Sequence, residues 1–297
     1  MSANIQIMDG AIGTELMRHG VACPPPLWST AGLFYPETLK NIYRDYLEAG
    51  ATCLTTNTFR TGWGDIISGG LPEGQFEVLN QLALDLVQDV IQERGQEGSR
   101  PITVLGSISS IADCYHPEDL SSDPQSWQEI HRKQMQLFLD SKKVDVLLCE
   151  TLGGFGEIKV IVKLWREEFK LHIPLWLSIL CRDPTRLLDG TPLKDLWHTL
   201  GEATWPTALG FNCVSPGLIT LLIEGHRKQI SPHAQLLAYG HLGRENKVGQ
   251  WVHEDVMTPL EYARVAERWV ELGVTIVGGC CGTTPEYIQV IAQKITT

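Results

Sequence analysis

The chain has 297 residues, 43% of them hydrophobic and 20% charged, with a net charge of −11. That composition belongs to a globular protein and excludes disorder, collagen-like repeats and a coiled coil, and no apolar run approaches the ~20 residues of a membrane span. The acidic balance argues against nucleic acid or an anionic membrane as partner and is permissive for a cationic, small-molecule ligand.

Met1 to Asp9 carry neither a basic nor an apolar signal region, so the expected location is cytoplasmic, with the eight cysteines as reduced thiols. Short apolar runs then alternate with amphipathic stretches. Ile5–Met8 reads as a strand. Leu39, Ile42, Tyr43, Tyr46 and Leu47 follow at helical spacing and stop at Gly50. Cys53–Phe59 predicts a Thr-rich strand, and Phe76 to Val90 a helical stripe. Gly95–Arg100 reads as an exposed loop. Ile102–Ile108, Val144–Glu150 and Leu175–Leu180 are strands, with helices near Trp127–Lys142, Glu157–Phe169 and Leu193–Leu200. Strands at Ala208–Cys213, Leu236–Tyr239 and Val274–Gly279 precede helices near Leu218–Lys228, Leu260–Leu272 and Tyr287–Ile295. The segment 241–256 is the longest irregular stretch.

Eight strand–helix pairs imply parallel pairing through right-handed crossovers and a single-domain α/β (β/α)8 TIM barrel spanning 1–297. The rival, an open doubly wound sheet, wants a Gly-rich phosphate turn after its first strand, which Asp9-Gly-Ala-Ile-Gly-Thr matches poorly.

Barrel chemistry sits where strands end. Here the strands end in Asp9-Gly10, Thr56-Asn57-Thr58-Phe59, Gly106-Ser107, Cys149-Glu150-Thr151, Phe211-Asn212-Cys213 and Gly278-Gly279-Cys280-Cys281-Gly282. Cys280 and Cys281 are either buried small hydrophobes beside a turn or metal ligands. With Cys213 they offer three thiolates and an open position, the pattern of a catalytic zinc site. Strands six and eight are both even-numbered, so their inward side chains share a layer. Cys23, Cys53, Cys114 and Cys181 read as packing, and Cys149 is ambiguous beside Glu150. Asp9 and Glu150 are either turn and cap residues or a pair that holds a cationic amine. A general acid/base pair, as in glycosidases, is a further option.

These residues resemble the homocysteine S-methyltransferase family over nearly the whole chain. The resemblance is carried by Asp9-Gly-Ala-Ile-Gly-Thr-Glu-Leu16, Thr56-Asn-Thr-Phe59, Glu150-Thr151, Gly210-Phe-Asn-Cys213 and Gly278-Gly-Cys-Cys-Gly-Thr-Thr-Pro285. It implies a barrel with Zn2+ on Cys213, Cys280 and Cys281, which activates the substrate thiol. It also implies a homocysteine amino group on Asp9 and Glu150, with Gly10, Asn57 and Asn212 close to substrate. Methionine biosynthesis is the implied activity. The length is similar to the compact branch that takes S-methylmethionine or S-adenosylmethionine. Trp28 is either a packing residue in the first loop or the aromatic that holds the cationic methyl donor by cation–π attraction. After strand seven that branch has Tyr-Pro-Asn-Ser-Gly-Glu, whereas here the run is Tyr239-Gly-His-Leu-Gly-Arg-Glu245. His241 is therefore either a solvated loop residue or a displaceable fourth zinc ligand. The alternatives are betaine, methylfolate or another donor, a different acceptor thiol or selenol, a zinc-independent hydrolase or lyase using Asp9 and Glu150, and a non-catalytic zinc or thiol redox sensor. Oligomeric state is not legible.

Overall fold

The computed structural model describes residues 5–95, 100–120, 123–201, 205–245, 251–252 and 257–296. Eight parallel strands form one sheet: β1 (Gln6–Ile7), β2 (Cys53–Thr55), β3 (Thr103–Ile108), β4 (Val146–Leu152), β5 (Leu175–Ile179), β6 (Ala208–Asn212), β7 (Gln235–Gly240) and β8 (Ile276–Gly279). Each strand from β2 onward pairs with the next in the chain, and β8 pairs with β1. The seam between β1 and β2 is closed by a parallel bridge from Met8 to Cys53, flanked by Asp9 N–H to Cys53 O at 3.1 Å and Thr52 N–H to Ile7 O at 2.7 Å. A sheet that closes on itself is a barrel, so the doubly wound alternative is excluded.

The helices α1 (Pro36–Glu48), α2 (Gln75–Arg94), α3 (Pro124–Ser141), α4 (Phe155–Lys163), α5 (Leu193–Gly201), α6 (Pro216–His226), α7 (Pro259–Glu271) and α8 (Pro285–Thr296) follow the strands in turn. Five of them open on proline, whose missing N–H costs nothing in the first turn. Thr258 and Glu261 form a capping box at α7, and Asp123 and Ser215 cap α3 and α6.

Two apolar layers result. Met8, Cys53, Leu105, Val146, Leu148, Trp176, Ala208, Leu237 and Ile276 fill the barrel interior, and the larger cluster lies between strands and helices. Because both faces are covered, strands such as Val146–Leu152 are buried along their whole length and read as continuous apolar runs.

Several elements depart from expectation. β2 stops at Thr55 rather than Phe59. The hydroxyls of Thr56 and Thr58 bond each other at 2.7 Å, and Thr58 Oγ1 donates to Ser107 O at 2.7 Å, so local side-chain bonds replace the ladder. The expected helix 157–169 starts at Phe155 and ends in a π-helical turn, Leu164–Glu168. Two short hairpins, Cys181–Asp183 with Arg186–Leu187 and Arg244–Glu245 with Trp251–Val252, were not foreseen. Of the loop read at Gly95–Arg100, residues 96–99 lie outside the described residues, as do 246–250 and 253–256 of the segment 241–256. Among the described residues, no helix is long and apolar enough to cross a membrane.

Candidate metal and substrate site

The period of two along each strand decides what enters the barrel. From Leu105 the next inward residue on β3 is Ser107. From Val146 and Leu148 on β4 it is Glu150, from Trp176 on β5 it is Ser178, and from Leu237 on β7 it is Tyr239. The interior thus changes from apolar to polar toward the strand ends, and the polar groups bond one another. Ser107 Oγ donates to Glu150 Oε1 at 2.6 Å, and Tyr239 Oη donates to Glu150 Oε2 at 2.9 Å. Asp9 receives Thr55 N–H and Thr55 Oγ1, both at 2.7 Å.

Both carboxyls are buried, and burial is the main reason that each is pushed up to about 7. The hydrogen bonds from Thr55, and from Ser107 and Tyr239, act against that rise, while the nearby Glu150 charge raises Asp9 further. Among the described residues no basic side chain bonds either carboxyl, so two buried acids poised near neutrality are left with a chemistry suited to a cation.

The three cysteines converge. Cys213 Sγ lies 3.9 Å from Cys281 Sγ, and Cys280 Sγ lies 4.0 Å from Cys281 Sγ. All three sulfurs fall within 4.8 Å of one another. Sulfurs ~2.3 Å from a tetrahedral zinc sit roughly 3.8 Å apart, so the cluster is close to ligating geometry. Mutual hydrogen bonds with Cys280 and Cys281, then burial, hold the Cys213 thiol well above its usual range. A divalent cation is the partner that lets such a set ionise together. All eight cysteines are free, and Cys23, Cys53, Cys114, Cys149 and Cys181 are buried.

Strand alternation does not bring Cys213 inward, contrary to the shared-layer expectation. Ala208 faces the interior, so Asn212 does too and Cys213 should face the helices. The backbone of Cys213 instead turns left-handed, at φ 54°, and swings the sulfur back to Cys281. A second left-handed residue, Thr151 at φ 59°, follows Glu150 where the β4–β5 register shifts.

The neighbouring backbone ties these turns together. Cys213 N–H donates to Tyr239 O at 3.3 Å, Cys280 N–H to Gly240 O at 2.9 Å and Leu242 N–H to Cys281 O at 2.8 Å. Tyr262 of α7 donates its hydroxyl to Gly240 O at 3.1 Å and Gly278 O at 2.9 Å, and receives Gly240 N–H at 2.8 Å.

The other expected site residues divide by surroundings. Asn212 is wholly buried; its Oδ1 accepts Ser178 Oγ at 2.7 Å and Thr151 N–H at 3.1 Å, and its Nδ2 donates to Thr151 Oγ1 at 2.8 Å. It therefore braces the Glu150–Thr151 turn. Asn57 Nδ2 donates to Ser29 O at 2.8 Å, while its buried Oδ1 has no partner among the described residues. Gly10 is a packing requirement, since a Cβ there would stand 2.7 Å from Tyr46 Oη and 2.8 Å from Thr283 Oγ1. Trp28 opens the 3-10 turn Trp28–Phe34 in the loop after β1 and is 44% exposed. The His241 Nδ1 accepts Gly243 N–H at 3.0 Å, and its ring nitrogens lie outside the group of sulfurs.

Thr55, Ser107, Ser178, Tyr239 and Tyr262 were not singled out as functional from sequence. Counting inward positions in twos from the apolar interior finds the first four. Nothing local marks Tyr262. Tyr115, in the loop after β3, was missed as well; its Oη lies 3.0 Å from Cys213 Sγ.

The profile of the homocysteine S-methyltransferase family matches residues 6–295. Among curated proteins, homocysteine S-methyltransferase YbgG of Bacillus subtilis is 30% identical over 96% of this chain and 93% of its own length. Homocysteine S-methyltransferase of Escherichia coli is 29% identical over 98% and 95%. The solved metallated form of the E. coli homocysteine methyltransferase MmuM superposes with a TM-score of 0.82 at 27% identity, covering 98% of this chain and 96% of that one. The chain is an enzyme of the homocysteine S-methyltransferase family, built on a (β/α)8 barrel.

Proposed function

We propose that this enzyme moves a methyl group from a cationic sulfonium donor, S-methylmethionine or S-adenosylmethionine, to the thiol of homocysteine, giving methionine. The observation that carries the proposal is the three-sulfur cluster beside two buried, near-neutral carboxyls. Cys213, Cys280 and Cys281 would hold Zn2+, which when bound with an open position supplies the positive charge that keeps a substrate thiol ionised at neutral pH.

The chain's own groups bind and orient. Asp9 and Glu150 take the ammonium of the amino acid by charge-assisted hydrogen bonds. Thr55, Ser107 and Tyr239 hold those carboxylates in place, which makes the amine anchor rigid and the direction of its thiol repeatable. Asn212 and Thr151 fix the turn that carries Glu150. In the net reaction, the methyl carbon's bond to the donor sulfur breaks with its electron pair left on that sulfur. A bond to the homocysteine sulfur forms, and the thiol proton goes to solvent. The donor loses its positive charge in this step, so no protein base has to touch the carbon. Free thiols throughout the chain fit a reducing compartment such as the cytoplasm.

The test is zinc analysis of purified protein, then methionine formation from homocysteine with a panel of donors. Loss of metal and turnover together in Cys280→Ser is the expected result. Full activity in that variant overturns the proposal.

A further inference from the structure

Tyr115 is 44% exposed, yet its hydroxyl reaches inward, 3.0 Å from Cys213 Sγ and 3.4 Å from Cys213 O. A thiolate has no proton, so toward an ionised Cys213 the phenol can only donate. The sulfur it touches belongs to the one ligand whose position depends on a left-handed backbone.

The loop that presents this tyrosine is held by more buried charge than a surface loop needs. Arg60, 5% exposed, pairs with Asp65 at 3.3 Å and donates to Ala112 O at 3.0 Å and Ser110 O at 3.5 Å. Glu157, 1% exposed, accepts Ser110 Oγ at 2.7 Å and Ile111 N–H at 2.9 Å and pairs with His131 at 2.8 Å. Asp113 Oδ1 then accepts Tyr115 N–H at 2.9 Å. Burying the Arg60–Asp65 ion pair and the Glu157 carboxyl with its imidazole partner is costly and adds little net stability, but it fixes conformation. Three consecutive residues, Ser110, Ile111 and Ala112, are thus pinned, and only Asp113 and Cys114 separate them from Tyr115.

Resting on the metal-site reading above, we propose that Tyr115 is a positioning residue for the three-sulfur centre: its phenol anchors the Cys213 sulfur, and the Arg60–Asp65 and His131–Glu157 pairs hold its loop for that purpose. Outer partners of this kind orient a ligand and damp the charge on it, and their removal typically weakens metal binding ~10–100-fold.

The test uses the full chain loaded with Zn2+ or Co2+. Tyr115→Phe keeps the half-exposed ring and removes only the hydroxyl, so folding is not at stake. Zinc affinity, measured by competition with a chromophoric chelator, should fall roughly tenfold or more. The sulfur-to-cobalt charge-transfer band of the Co2+ form should shift, which a merely structural tyrosine would not cause. Asp113→Ala should move both readouts the same way by less. Unchanged affinity and spectrum in Tyr115→Phe overturn the proposal. Failure of the unsubstituted protein to bind either metal overturns the metal-site reading, and the role of Tyr115 with it.

Discussion

At the scale of single residues, burial matters more for Asp9 and Glu150 than their negative charge does. Each is pushed up to about 7 from ordinary values of 3.8 and 4.5, chiefly by desolvation. An ammonium ligand needs carboxylates, so binding of homocysteine or methionine should tighten as pH rises from about 6 to 8. Titration calorimetry across that range checks this. In Glu150→Gln, whose amide can still accept from Ser107, the affinity should drop and one proton-linked step should vanish from the profile. Ligand-free stability has the opposite sign. Raised folded-state values favour the fold below pH ~4, and that contribution is lost as pH climbs through about 7. A tenfold change in a carboxyl's proton affinity on folding corresponds to about 1.4 kcal/mol at most. Glu150→Gln should therefore melt higher than the parent at pH 8 and little differently at pH 4.

At the scale of elements, two helix-borne side chains separate site support from ordinary stability. Tyr262 is fully buried, and its hydroxyl joins the ends of β7 and β8, from which Cys280 and Cys281 emerge. Tyr262→Phe leaves two carbonyls and an N–H short of that partner, a cost of about 1–3 kcal/mol, and should weaken metal retention as well. Thr258→Ala removes the capping box of the same helix for about 1 kcal/mol and should leave metal affinity unchanged. Chemical denaturation and chelator competition on both variants test the contrast. The strand and helix spans were legible because apolar periodicity and opening prolines are local signals. The early end of β2 was not, because its cause is a bond from Thr58 to Ser107, a residue 49 positions away.

At the scale of the whole molecule, the three sulfurs of the proposed metal site follow β6 and β8 on the barrel rim, so an ion held there would link strands distant in the chain. A ligand that binds only the folded form stabilises it by about 2.7 kcal/mol at a hundred times its Kd. Stripping the metal with a chelator should lower the melting temperature by several degrees, and Cys281→Ser should show no such chelator-dependent change. Differential scanning calorimetry with and without chelator reads both.

The sequence alone determined the barrel count, the three candidate sulfurs and the two carboxyls, since these rest on residue type and on spacing along the chain. Only the tertiary structure decided how they meet. The left-handed turn at Cys213, the rise of Asp9 and Glu150 toward neutrality, and the reach of Tyr115 to a sulfur 98 residues away depend on burial and on contacts through space. Linear order does not encode those quantities until the eight strands have closed on one another.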